Sequence, residues 1–335
     1  MKLKLLIALF FLLVPLAAIW SQAPASTASK PQLVILDTDI GDDIDDAFAL
    51  ALVLKSPEFK LLGVTTEFGD TDLRARLVNR FLEYQCIYGI PVVPGKPTEH
   101  TNVFTQSAYA RGPFELSCLV NPSGLEEVRS RIYAEELKQH DAAGFILRQI
   151  RSHPGQITLI AIGPLFNVQA AIEKDPATFK KLRRVVLMGG SVYRGYGPTN
   201  TPPQPEWNIL NDPAGLKDLL ASGVPVFMMP LDSTQVPLDR KAQAAIFSHG
   251  SALTDQLTLL YHEWSGTGGW KTPTLFDPVA VTYALRPDFC PATPMRIAVD
   301  SKGNTKPVPG APNAHVCLKS DEEGFLKLLV GRILK

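Results

Sequence analysis

The stretch Leu33-Val34-Ile35-Leu36-Asp37-Thr38-Asp39-Ile40-Gly41-Asp42-Asp43-Ile44-Asp45-Asp46-Ala47 decides how this chain folds. Its first four residues are apolar without alternation, the pattern of a strand covered on both faces. Asp37 to Asp46 then places six carboxylates in ten residues. From Ala47 to Lys55 the chain reads as a helix, so a buried strand passes through an acidic turn into a helix.

Working outward, the same rhythm repeats. Strand patterns cover 60–66, 90–93, 157–162, 184–188 and 224–229. Helical patterns follow at 73–88, 165–174 and 214–221, with later helices at 241–248, 252–264 and 278–285. Strand-then-helix alternation implies right-handed crossovers and a largely parallel sheet. The expected fold is therefore an open, Rossmann-like α/β sheet, mostly parallel and flanked by helices. Two loop-rich stretches, 94–121 and 193–205, interrupt the rhythm, and long irregular segments in compact domains are often functional. The tail 295–335 reads as two strands, a Gly/Pro-rich loop and a final helix, forming a small appendage. No repeat or linker divides the chain, so residues 26–335 are expected to form a single domain.

The chain has 335 residues, 33 Lys+Arg against 33 Asp+Glu, and 45% hydrophobic residues. This composition excludes a disordered chain and a broadly basic nucleic-acid binder. Residues 1–25 have the form of a secretory signal peptide: Lys2 and Lys4, an apolar run from Leu5 to Trp20, then Ala23-Pro24-Ala25 as the cleavage end. The other reading is an uncleaved anchor, but the run is short for a span and contains Pro15. A periplasmic or secreted protein without stable membrane insertion after cleavage is expected. Cys86, Cys118, Cys290 and Cys317 have no C-x-x-C spacing and allow three disulfide pairings.

Six carboxylates so close together repel one another and lose solvation. A hard divalent cation, Ca²⁺ or Mg²⁺, would keep them ionised together; the alternative is a solvated acidic turn at a helix N-terminus. Ligands of open α/β sheets bind beyond the carboxyl ends of the strands. Asp39, Asp70, Ile162-Gly163-Pro164, Met188-Gly189-Gly190 and Asp232 all follow strands, so they should converge on one sheet edge. Asp277 precedes Pro278 and a helical pattern, the form of a plain N-cap.

At this point the motifs resemble a known family. Asp37-Thr38-Asp39, Gly41 and Ile44-Asp45-Asp46-Ala47 are similar to the N-terminal signature of the inosine–uridine-preferring nucleoside hydrolases. Ile162-Gly163-Pro164-Leu165-Phe166-Asn167, Val186-Leu187-Met188-Gly189-Gly190, Glu206-Trp207-Asn208 and Asp277-Pro278-Val279-Ala280-Val281 continue the resemblance in family order. It implies Ca²⁺-dependent hydrolysis of the N-glycosidic bond of ribonucleosides, with a small-molecule nucleoside as partner and frequent homo-oligomers. Asp39, Asp46, Asp277 and the main-chain carbonyl of Ile162 would be the metal ligands. Asp45, Asp70, Met188, Asn200, Glu206 and Asn208 would bind the sugar, and Asp39 would be the catalytic base.

Three departures from the family pattern matter. Asp42 and Asp43 lie in a lengthened spacer, as solvated turn residues or as groups that rearrange the site. Asp70 stands where an Asn is common. Phe276 stands where the family's characterised members have a His that protonates the departing base. Tyr109, Tyr193, Tyr196, Trp264 and Trp270 are candidate base-stacking residues, and His100 and His262 are candidate acids. Phe276 keeps two alternatives open: a nucleoside- or ribose-binding protein that has lost turnover, and a hydrolase of another N-riboside.

Overall fold

The computed structural model describes residues 30–99, 104–112, 140–269 and 271–335. The expected leader, His100, Cys118, Trp270 and part of the 94–121 loop lie outside the described residues.

Among the described residues are ten strands: β1 (Gln32–Thr38), β2 (Phe59–Thr66), β3 (Val92–Pro94), β4 (Ile157–Ala161), β5 (Arg184–Met188), β6 (Val226–Met229), β7 (Ala292–Met295), β8 (Ile297–Val299), β9 (Thr305–Pro307) and β10 (Ala314–Cys317). Eight form the central sheet in the order β3-β2-β1-β4-β5-β6-β10-β7, while β8 and β9 pair separately. All neighbours in the large sheet are parallel except β7, which runs antiparallel to β10. The mostly parallel α/β sheet is therefore as expected.

The alternation of side chains along each strand splits the core in two. Val34 and Leu36 of β1, Ile160 of β4 and Val186 of β5 face the helices Asp45–Leu54, Ala252–Gly268, Phe276–Leu285 and Glu322–Ile333. Ile35, Leu159 and Val185 face Ala142–Ser152, Phe166–Lys174 and Pro213–Ala221. Each such buried Val, Leu or Ile contributes about 1.5–3 kcal/mol. Nine of the ten residues of Asp45–Leu54 are buried. That helix has protein on every side, so its sequence shows no polar face.

Two expectations need correction. The helix expected over 73–88 is Thr71–Glu83, and the chain beyond it turns through Cys86 with φ 57° and Gly89 with φ 84°. The tail is not an appendage. β10 joins β6 through His315 and Val316, and β7 pairs outside it. Phe325, Leu329 and Ile333 of the last helix lie buried in the main core. Of the described strands, the β8–β9 pair alone stands apart from the large sheet. A disulfide, Cys290–Cys317, ties the turn Pro287–Phe289 to β10, with Cα atoms 5.6 Å apart. No described helix is long and apolar enough to cross a membrane.

Candidate functional site

The carboxyl ends of β1, β4 and β5 lie side by side, because Asp37 pairs with Ala161 and Ala161 with Leu187. The residues just beyond them open a cavity of about 130 Å³. It is lined by Asp39, Asp42, Asp43, Asp45, Asp46, Ile162, Met188, Tyr196, Glu206, Trp207, Asn208, Phe276 and Asp277. Residues from five segments of chain thus meet where an open parallel sheet presents ligands.

Asp45, Asp46 and Asp277 form the floor. One carboxylate oxygen from each lies within 4.8 Å of the others, and all three residues are buried. The acidic turn delivers Asp45 and Asp46 as the first two residues of the helix Asp45–Leu54, whose N-terminal end favours negative charge. Asp277 is not an N-cap. It sits in the first turn of Phe276–Leu285, and its backbone N–H donates to Asp45 Oδ2 at 3.1 Å. Thr38 Oγ1 donates to Asp46 Oδ1. Burial first, and then mutual repulsion, push the pKa of all three carboxyls well above the ordinary range. Three buried oxygen donors that destabilise one another when ionised are the donor set a hard divalent cation requires. Asp39 lines the same cavity but is not one of the three converging groups, whereas Asp45, expected as a sugar ligand, is.

Asp39 is held from behind. Arg74, wholly buried, donates from Nη1 to the carbonyls of Asp39 and, at 3.0 Å, Ile40; from Nε to the Phe68 carbonyl at 2.7 Å; and from Nη2 to Asp42 Oδ2 at 3.0 Å. Burial raises the Asp39 pKa to about 7, and the Arg74 charge opposes that rise. On the far side of Asp39, a Cβ at Gly163 would lie 2.4 Å from Glu67 Oε1 and 2.8 Å from Asp39 Oδ1. Only glycine lets β4 leave the sheet so close to these two carboxyls. Glu67 is buried, and burial, then the nearby Asp37 and Asp39 charges, keep its pKa well above the ordinary range.

Asp42 and Asp43 are not solvated turn residues. Both line the cavity, Asp42 is paired with Arg74, and burial raises Asp43 to a pKa of about 6. Thr105 Oγ1 donates to the Asp42 carbonyl at 2.7 Å, and Gln106 Nε2 to the Asp43 carbonyl at 2.7 Å. Gly41 has φ 127°, and a Cβ there would strike the Phe104 ring at 2.1 Å. The lengthened spacer is thus packed against 104–106.

The remaining wall comes from β5 and the segment 193–208. Glu206 caps the helix Trp207–Asn211. Its carboxylate accepts from the backbone N–H groups of Gly190, Asn208 and Ile209, yet burial still raises its pKa to about 7. Asn208 Nδ2 donates to the carbonyls of Ile162 at 3.2 Å and Met188 at 3.1 Å. Asp232 holds the loop by accepting from Val192 and Tyr193 N–H. Tyr196 reaches the cavity from this loop and meets Phe276 edge to face at 6.0 Å.

Two expected sugar ligands are elsewhere. Asp70 is exposed and caps the helix Thr71–Glu83 by accepting from Leu73 N–H at 2.9 Å. Asn200 is exposed at the tip of the 193–205 loop, where Thr201 N–H turns back to Pro198 O. Of the candidate stacking residues and acids, Tyr196 alone among the described ones lines the cavity. Tyr109 and Trp264 are buried in the core, and Tyr193 and His262 are exposed. Arg74 and Glu67 carry no signal in the sequence. Both lie in otherwise ordinary strand-to-helix text, and no spacing marks them.

A family model described as "Inosine-uridine preferring nucleoside hydrolase" matches residues 34–327. The pyrimidine-specific ribonucleoside hydrolase RihB of Escherichia coli is 28% identical over 277 residues, covering 80% of this chain and 82% of that protein. A plant nucleoside hydrolase, PpNRh1, superposes with a TM-score of 0.73 at 25% identity, over 90% of this chain and 99% of that one. A purine-preferring ribonucleoside hydrolase from Gardnerella vaginalis gives a TM-score of 0.71 at 24% identity, covering 90% and 98%.

Proposed function

The chain belongs to the inosine-uridine preferring nucleoside hydrolase family, and from that premise we propose that it is an exported, Ca²⁺-dependent hydrolase that releases ribose from ribonucleosides. The enzyme class, hydrolysis of an N-ribosyl bond, comes with the family. The metal identity, the individual residue roles and export are our reading. The observation that carries it is the convergence of Asp45, Asp46 and Asp277 on the floor of a cavity that Asp39 also lines.

Asp45, Asp46 and Asp277 would hold the ion, with Asp39 and the Ile162 carbonyl beside them. Their hard, anionic, buried oxygens favour Ca²⁺ or Mg²⁺ over softer metals. When bound, such an ion supplies a Lewis-acid anchor for hydroxyl groups and lowers the pKa of a bound water. The protein does the rest. The cleaved bond leaves positive charge on C1′ of the ribose, and the surrounding carboxylates stabilise it electrostatically. Asp39 lines the cavity beside that ion site and would accept the attacking water's proton. Met188, Glu206 and Asn208 shape the sugar pocket, Glu206 and Asn208 from a preorganised helix start.

The test is a nucleoside panel assayed for ribose release with and without EDTA, paired with elemental analysis of the purified protein. Ribose release that falls on chelation, with stoichiometric calcium in the untreated protein, is expected. A metal-free, fully active protein would refute the calcium dependence. Phe276 on the cavity wall favours the second reading, a binding protein; bound ribose with no release from any riboside would select it. Export is checked by N-terminal sequencing of the mature protein, which should begin at Ser26.

A further inference from the structure

The cavity is graded from floor to mouth. The floor is acidic and closed, with Asp45 3% exposed. The mouth is aromatic: Tyr196 is 36% exposed, it meets Phe276 edge to face at 6.0 Å and 81°, and Trp207 N–H donates to its hydroxyl at 2.9 Å. Sugar hydroxyls belong against the carboxylates, so the leaving ring belongs against Tyr196, Phe276 and Trp207. Asp39, Asp42, Asp43, Asp45, Asp46, Glu206 and Asp277 make seven lining carboxyls. The buried guanidinium of Arg74 is spent on three carbonyls and Asp42. Even a bound divalent cation leaves carboxylates in excess, and among the described residues no Lys, Arg or His lines the cavity.

A neutral purine or pyrimidine must gain a proton as it departs. Phe276 has none to give. The Tyr196 phenol is a poor donor, since burial and the Glu206 carboxylate push its pKa up. A ring that is already cationic needs no proton. It also gains from aromatic faces, which attract cations, and from the surplus of carboxylates.

We propose that the favoured substrates are ribosides of a cationic heteroaromatic ring, N-ribosylpyridiniums, held at the mouth by Tyr196, Phe276 and Trp207; this rests on the N-ribosyl hydrolase reading above. In the step, the electron pair of the C1′–N⁺ bond returns to the ring nitrogen, and the ring leaves as neutral pyridine. Water oxygen bonds to C1′, and its proton passes to Asp39 and then to solvent. One cation and one water thus give ribose, a neutral base and one proton.

Two measurements separate recognition from intrinsic reactivity. The first compares kcat/KM for 1-ribosylpyridinium, uridine and inosine, and the pyridinium should lead by about tenfold or more. The second uses an uncleavable pair, 3-ribofuranosylpyridine and its N-methylpyridinium, joined to the sugar through carbon. The cation should inhibit about three- to thirtyfold more tightly, and Tyr196→Leu should shrink that ratio. Equal inhibition by the pair, or uridine or inosine cleaved as well as the pyridinium, overturns this proposal and leaves the hydrolase reading standing. No ribose from any substrate overturns both.

Discussion

Arg74→Met tests how the acidic turn is held. The guanidinium is wholly buried and makes four contacts that a thioether cannot: the carbonyls of Phe68, Asp39 and Ile40, and the Asp42 carboxylate. Removing one partner of a buried ion pair costs about 3–5 kcal/mol. Each carbonyl that then fails to reach water adds about 1–3 kcal/mol. Taking the ion pair alone, and about 2 °C per kcal/mol for a domain of this size, Tm should fall by about 6–10 °C. Asp42→Asn should cost less, since the guanidinium keeps its three carbonyls. The double variant should be more stable than the sum of the two losses predicts, because no carboxylate is left without its cation. Calorimetry on the four proteins decides it. An Arg74→Met protein that melts within about 1 °C of wild type, or a strictly additive double variant, refutes the reasoning. Because the same turn carries Asp39, kcat should fall in Arg74→Met even well below its Tm.

Three further outcomes follow from the structure. Asp39→Ala should lower kcat by about 10²–10⁴-fold while circular dichroism stays native; near wild-type turnover would remove Asp39 from the base role. Asp37 has its pKa raised by burial from 3.8 to about 6. Its contribution to stability is full below pH 3.8 and is lost as pH rises through 6, because the folded state holds the proton more tightly. Urea midpoints should therefore show Asp37→Asn gaining up to about 3 kcal/mol on wild type between pH 4 and pH 8, and parallel pH profiles would contradict it. Cys290→Ser should cost about 3.5 kcal/mol, the chain-entropy value for a loop of 27 residues. A reductant should then destabilise wild type further than it does the variant, and an unchanged Tm in Cys290→Ser would show the bridge to be passive.

What was legible in the chain was whatever local text encodes. Unbroken apolar runs such as Val34–Leu36 and Val185–Leu187 announce strands covered on both faces, and their alternation with helical patterns leads to a parallel sheet with its ligands at the carboxyl ends. Asp39, Asp45 and Asp46 could be singled out because carboxylates so dense need a physical reason, whereas Asp277 reads locally as a plain N-cap and stood out only through the family resemblance. Their partners could not be singled out. Arg74 and Glu67 acquire their meaning from groups tens of residues away, and Asp70 and Asn200 lose theirs because a helix cap and a loop tip hold them outside the cavity. The four-residue strand β10 is too short to announce itself, so the tail's place in the main sheet was invisible until Val316 was seen beside Met228. Periodicity and charge density act over neighbouring residues, and the one-dimensional text carries them in full. The pairing of a buried guanidinium with an acidic turn, the grouping of Asp45 rather than Asp39 with Asp46 and Asp277, and the aromatic mouth above them depend on which strand ends become neighbours, and only packing of the whole chain settles that.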